Sequence, residues 1–251
     1  MNEEERELAL NCYGYGRWDA PYWFIGPEQG LGKSEKKDDV DYEEVIRNRA
    51  KAIRKRAEAF RELDKDKDGL CDCCAFHIKI EDTSWHYKNE KEPHRKTPPL
   101  QSTWGFLILL LMEFQQKSTA PDNRREYQRK CWGSSNGETC VIELSGLPEK
   151  NFEESTARER ARSEQENEEI ERIRKERIEF IHQKILLYKP KFVVIYGKKQ
   201  WDYWKEVADD IKKKGHTRIE FAKHPINRFK GQKKNQYFIA LGKSLRTLGT
   251  S

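Results

Sequence analysis

Four short apolar runs, each ending abruptly in turn-forming or polar residues, constrain this chain more than any other feature. They span 21–25, 140–144, 192–196 and 219–222, and are rich in aromatic and β-branched residues. Runs this short fit buried strands, because a helix needs at least about ten residues to pack as an element. Gly26-Pro27 stops the first, Ser145-Gly146 the second, Gly197 the third and His224-Pro225 the fourth. Between them lie stretches with helical length and patterning, at 41–63, 104–114, 151–188, 201–211 and 238–248. Strands alternating with helices predict an α/β fold, a three-layer α/β/α sandwich on a four-stranded, mostly parallel sheet. In such a sheet the stop residues gather at the carboxyl edge, where open α/β folds hold their sites.

Hydrophobic residues make up 35% of the chain and charged residues 37%. The core must therefore be concentrated in the strands and a few helical stripes, with polar helices and loops around them. A chain of 251 residues suffices for one domain with its own core. The expected organisation is a single domain over 1–251, with an insertion at about 35–96 and a charged helical elaboration at about 151–180. Residues 64–74 and 82–99 read as loop, and 122–137 as a charged linker. Met1-Asn2-Glu3-Glu4-Glu5 lacks the apolar segment of a signal peptide. The longest apolar run, 106–112, is too short to cross a bilayer. Six cysteines in a chain of this size point to reduced thiols rather than a secreted disulfide scaffold. The expectation is a cytoplasmic monomer with no membrane partner.

Charge is unevenly distributed. From Lys189 onward there are 16 Lys/Arg against 5 Asp/Glu, and between Lys223 and Lys234 five cations with no acid. Clustering of this kind is the footprint of a phosphate-backbone partner, or else a solvated face. Its overlap with the loop after the fourth run favours a nucleic acid. The ending Gly32-Lys33-Ser34 invites a phosphate-loop nucleotidase. That motif needs a glycine five positions before Gly32, where Pro27 stands.

Two segments carry the chemistry. Tyr22-Trp23-Phe24-Ile25-Gly26-Pro27-Glu28-Gln29-Gly30 brings a carboxylate to a strand end, and Phe221-Ala222-Lys223-His224-Pro225 brings an imidazole. With Val141-Ile142-Glu143-Leu144-Ser145 and Lys189-Pro190-Lys191-Phe192-Val193-Val194-Ile195-Tyr196-Gly197, in this order, the chain resembles the uracil-DNA glycosylase superfamily. The resemblance covers most of the chain outside 35–96 and the charged stretch after Asn151. It implies hydrolysis of a base–deoxyribose bond in DNA, leaving an abasic site, with no cofactor required. Glu28 then stands where the family's loop positions water, and His224 where the family donates to the base carbonyl. Gly26, Pro27, Gln29, Gly30 and Ser145 would line the base pocket. Lys223, Asn227, Arg228, Phe229, Lys230, Lys233 and Lys234 would grip the duplex, with Phe229 either a wedge in the base stack or a core anchor.

The chemistry accords with those roles. Base release passes through an oxocarbenium-like sugar and a base anion, which call for a carboxylate near the first and a donor near the second. The nucleotide must also be flipped out of the stack. One departure redirects specificity: uracil specialists place an asparagine where Ser145 stands, and a lone hydroxyl lacks an amide's paired donor and acceptor. The expected target is therefore a damaged or substituted pyrimidine, such as a modified cytosine met in repair or in antiviral defence. A catalytically silent DNA-binding or damage-sensing module on the same fold is the alternative. Cys71, Cys74, Cys131 and Cys140 are candidates for a structural zinc or iron–sulfur cluster, or are simply reduced thiols. The family's cluster-bearing members place their first cysteines before the glycine loop, unlike these.

Overall fold

The computed structural model describes residues 1–30, 42–65, 68–80, 99–149, 164–225, 229 and 233–247. Among them are helices α1 (Glu3–Asn11), α2 (Tyr42–Glu62), α3 (Cys73–Lys79), α4 (Trp104–Phe114), α5 (Pro121–Lys130), α6 (Glu164–Tyr188), α7 (Trp201–Lys214) and α8 (Lys234–Thr247). The strands are β1 (Gly14–Tyr15), β2 (Tyr22–Gly30), β3 (Leu70–Cys71), β4 (Thr139–Glu149), β5 (Phe192–Tyr196) and β6 (Arg218–Ala222). They form one mixed sheet in the order β3-β1-β4-β2-β5-β6.

The four apolar runs become β2, β4, β5 and β6, and these lie side by side and parallel. Phe24 pairs with Val141 on one side and Val194 on the other, and Ile195 pairs with Phe221. The expected four-stranded sheet is nevertheless corrected to six strands. β1 adds antiparallel to β4 and β3 adds parallel to β1. Each added strand has two residues, too few to show an apolar alternation in sequence. β1 can approach β4 because Gly14, at φ +136, has no Cβ to overlap the Val141 carbonyl.

Successive strand residues alternate between two core clusters, as the two-residue side-chain period requires. Trp23, Ile25, Ile142, Val193 and Ile195 pack with Ile181 and Ile185 of α6 and with Trp204 and Ile211 of α7. Phe24, Val141, Phe192, Val194 and Tyr196 pack with Phe60 of α2, Leu107, Leu110 and Leu111 of α4, and Phe238 of α8. Each such side chain contributes about 1.5–3 kcal/mol on burial, so these two clusters supply the stability that the polar composition withholds elsewhere.

Three expectations change with the packing. The stretch 35–96 is not wholly peripheral: Ile53, Ala57 and Phe60 of α2 are buried in the core, and β3 and α3 replace part of the expected loop. The charged linker at 122–137 contains α5, opened by a proline in its first turn, where the missing N–H costs nothing. Finally, α6 carries Ile173 and Arg177 into the interior from within the expected charged elaboration. Residues 151–163 of that elaboration lie outside the described residues.

Candidate active site

The chain leaves β2 toward β3 and then β4 on one side, and leaves β5 for β6 on the other. The carboxyl ends of β2 and β5 therefore flank the crevice that a parallel sheet opens where its connections diverge. Gly26 and Pro27 reach it from β2, Tyr196 and Gly197 from β5, and His224 from just beyond β6. A Cβ placed on Gly197, whose φ is +101, would lie 3.5 Å from Pro27 Cδ and 3.6 Å from His224 Cδ2. The Tyr196 and His224 rings are 5.5 Å apart at 59°. Only glycine fits at position 26, because a Cβ there would overlap the Tyr196 hydroxyl and lie 2.9 Å from its Cε2. The buried Gln200 amide donates to the carbonyls of Ile25, at 3.2 Å, and of Tyr196. One side chain thus ties β2, just before Gly26, to the end of β5.

Burial, reinforced by the charge of Lys234, lowers the His224 pKa from 6.5 to about 4. At neutral pH the half-buried imidazole is therefore uncharged and offers one N–H donor. Burial first, and the Glu143 charge second, push the Tyr196 phenol well above its ordinary range, so it stays protonated.

Two charged residues, one on β4 and one packed against it, are buried. Glu143 is 4% exposed and pairs in register with Gly26. Arg177 is 2% exposed and donates to four backbone carbonyls: Leu144 at 2.8 Å, Glu143 at 2.7 Å, Ala9 at 2.8 Å and Cys12 at 2.9 Å. Its guanidinium also stands 4.2 Å from the centroid of the Tyr13 ring. It thereby fixes the middle of β4 to the end of α1. Desolvation lowers the Arg177 pKa, opposed by Tyr13, Cys12 and Glu143. Burial likewise pushes the Cys12 thiol up to about 11. The sequence signal for this pair is a lone acid inside a five-residue apolar run, and an arginine four residues after Ile173, on the apolar stripe of α6.

Beyond His224 the basic loop folds onto aromatic rings. The Lys223 and Lys234 ammonium groups lie 5.5 and 5.6 Å from the centroid of Phe229, within cation–π range. Phe229 is half-buried, packed 5.2 Å from Tyr237 and 6.0 Å from Phe238. The Lys223 N–H donates to the Tyr237 hydroxyl at 3.1 Å, which anchors the loop to α8. Lys233 is exposed. Asn227, Arg228 and Lys230 lie outside the described residues.

The remaining sequence candidates are distributed as follows. Glu28 pairs in register with Ser145, and β2 continues past a register shift to Gly30. The side chains of Glu28 and Gln29 lie outside the described residues. Ser145 Oγ accepts the Leu147 N–H at 3.2 Å, and the residue lines a small cavity with Ala9 of α1 and Ile170 and Ile173 of α6. Cys71 and Cys140 belong to different core clusters, on opposite faces of the sheet, so the four candidate cysteines do not converge. Among the described residues no three His, Cys, Asp or Glu side chains are grouped to hold a metal ion, and no helix is long and apolar enough to cross a membrane.

The chain matches no family model, no curated protein and no solved structure.

Proposed function

We propose that this protein is a DNA glycosylase that hydrolyses the N-glycosidic bond of a flipped-out, damaged or modified pyrimidine and leaves an abasic site. The observation that carries this reading is the uncharged His224 imidazole at the crevice between β2 and β5, beside Pro27 and Gly197. A neutral imidazole can donate its N–H to the carbonyl oxygen of a departing base, where negative charge develops. Core clusters on both faces of the sheet support the three-layer α/β/α arrangement expected for such a fold.

In this mechanism the base enters with its carbonyl toward His224, and the bond from C1′ to the ring nitrogen breaks with its electron pair passing to the base. Glu28, one register step past Pro27, supplies negative charge to the oxocarbenium-like sugar and orients the water that adds to C1′. The Lys223, Lys233 and Lys234 ammonium groups bind phosphates of the flipped strand. Tyr237 holds the loop that carries the first of them.

Duplexes containing uracil, hypoxanthine or substituted cytosines, incubated with the protein and then treated with alkali, test the proposal. Strand scission at one of the substituted positions is the expected result. Glu28→Gln should reduce single-turnover release by roughly 10²–10³ while DNA binding persists. DNA binding without scission on any member of the panel would instead identify a silent DNA-binding module.

A further inference from the structure

We propose that Glu143 is the base-reading residue of this site and that the base it reads carries an exocyclic amino group, placing the substrate in the cytosine class. The inference rests on the glycosylase reading above and names its substrate. Three observations lead to it. Glu143, not Ser145, is the β4 residue in register with Gly26, where β2 opens into the crevice. It lies two residues after Val141, which shares a core cluster with Tyr196, so strand alternation directs Glu143 to the face on which Tyr196 lies against Gly26. Its backbone is held by the buried Arg177, which binds both the Glu143 and the Leu144 carbonyls. Anchoring of this kind is what a reading group needs to discriminate by hydrogen bonding.

The side chain then sets the selectivity. An ionised carboxylate only accepts hydrogen bonds. Cytosine offers one carboxylate oxygen the N4 amino group, whereas uracil and thymine place O4 there, so that this oxygen meets a second acceptor with no proton between them. The second carboxylate oxygen accepts a proton carried on N3. A cytosine that takes that proton from water on binding departs as a neutral base when the C1′–N1 pair passes to its ring. Water adds to C1′ and releases its own proton to solvent, so the buried negative charge does not oppose departure. Ser145, its hydroxyl engaged with the Leu147 N–H, is released from the reading role.

The test uses uncleavable duplexes, each with one 2′-fluoroarabino nucleotide. The two nucleotides carry the same 5-hydroxymethyl substituent and differ only in an amino group or a carbonyl at C4. Full-length wild-type protein should bind the amino-bearing duplex about ten- to a hundredfold more tightly, the span of one good base-edge contact. Glu143→Gln, whose amide both donates and accepts, should erase or invert that preference. Equal wild-type affinities for the two, both above that of an unsubstituted duplex, would overturn the role of Glu143 and leave the glycosylase reading standing. So would a preference unchanged in Glu143→Gln. Wild-type affinity for neither above the unsubstituted duplex would overturn both. The wild-type comparison alone decides the substrate class, and if Glu143→Gln does not fold, Glu143→Asp, which keeps the charge but withdraws it by one methylene, should reduce the preference; a preference unchanged in Glu143→Asp would overturn the role of Glu143.

Discussion

The state of His224 can be tested without knowing the substrate. Its folded-state pKa is lowered from 6.5 to about 4, with burial the larger cause and Lys234 the smaller. The unfolded chain therefore binds this proton at a higher pH than the folded protein does. The contribution to stability is fully present above about pH 6.5, and it is lost progressively as the pH falls to about 4. At roughly 1.4 kcal/mol per pH unit, the whole loss is about 3.5 kcal/mol. Lys234→Met removes only the smaller cause, so the pKa should rise but remain nearer 4 than 6.5. The imidazole Cε1–H resonance, assigned by its disappearance in His224→Gln, follows the titration directly. Urea midpoints between pH 4 and 7 report the stability difference between wild type and His224→Gln. A His224 resonance titrating near 6.5 in the wild type would refute the burial argument. Full restoration to 6.5 by Lys234→Met would show that charge, not desolvation, dominates. If His224 is the donor in catalysis, single-turnover base release by His224→Gln should be slower than by the wild type throughout pH 5 to 8.

Other perturbations test the surrounding architecture. Gly26→Ala should destabilise the protein by about 1–3 kcal/mol, as overpacking does, and displace the Tyr196 ring; denaturant midpoints and the chemical shifts of His224 would register both. Arg177→Met leaves four buried carbonyls without their donor and should cost about 3–5 kcal/mol in urea unfolding, so a loss below 1 kcal/mol would mean that water replaces the guanidinium. Simultaneous charge reversal at Lys223, Lys233 and Lys234 should weaken binding to any duplex and flatten the log–log salt dependence by about 0.9 for every phosphate no longer neutralised. An unchanged slope would move the DNA-binding face elsewhere.

The sequence by itself determined the parallel centre of the fold. Apolar runs such as Phe192–Tyr196, buried on both faces, leave a chain little choice but strands, and Trp104–Phe114, with eight buried residues, little choice but a core helix. It also delivered the strand-end loops with Gly26 and His224, because turn residues after an apolar run mark the sheet's edge whatever the rest of the chain does. Tertiary structure decided what no local pattern encodes. β1 and β3 exist only because β4 offers an edge to pair with, and two residues carry no periodicity of their own. The neutral state of His224 depends on burial and on Lys234, ten positions along the chain. The Arg177 clamp joins carbonyls more than thirty and more than one hundred and sixty residues away, and Glu143 meets Gly26 only through strand register. Desolvation and long-range pairing are properties of the packed chain, and they turn an acid in an apolar run into a buried residue in register with Gly26.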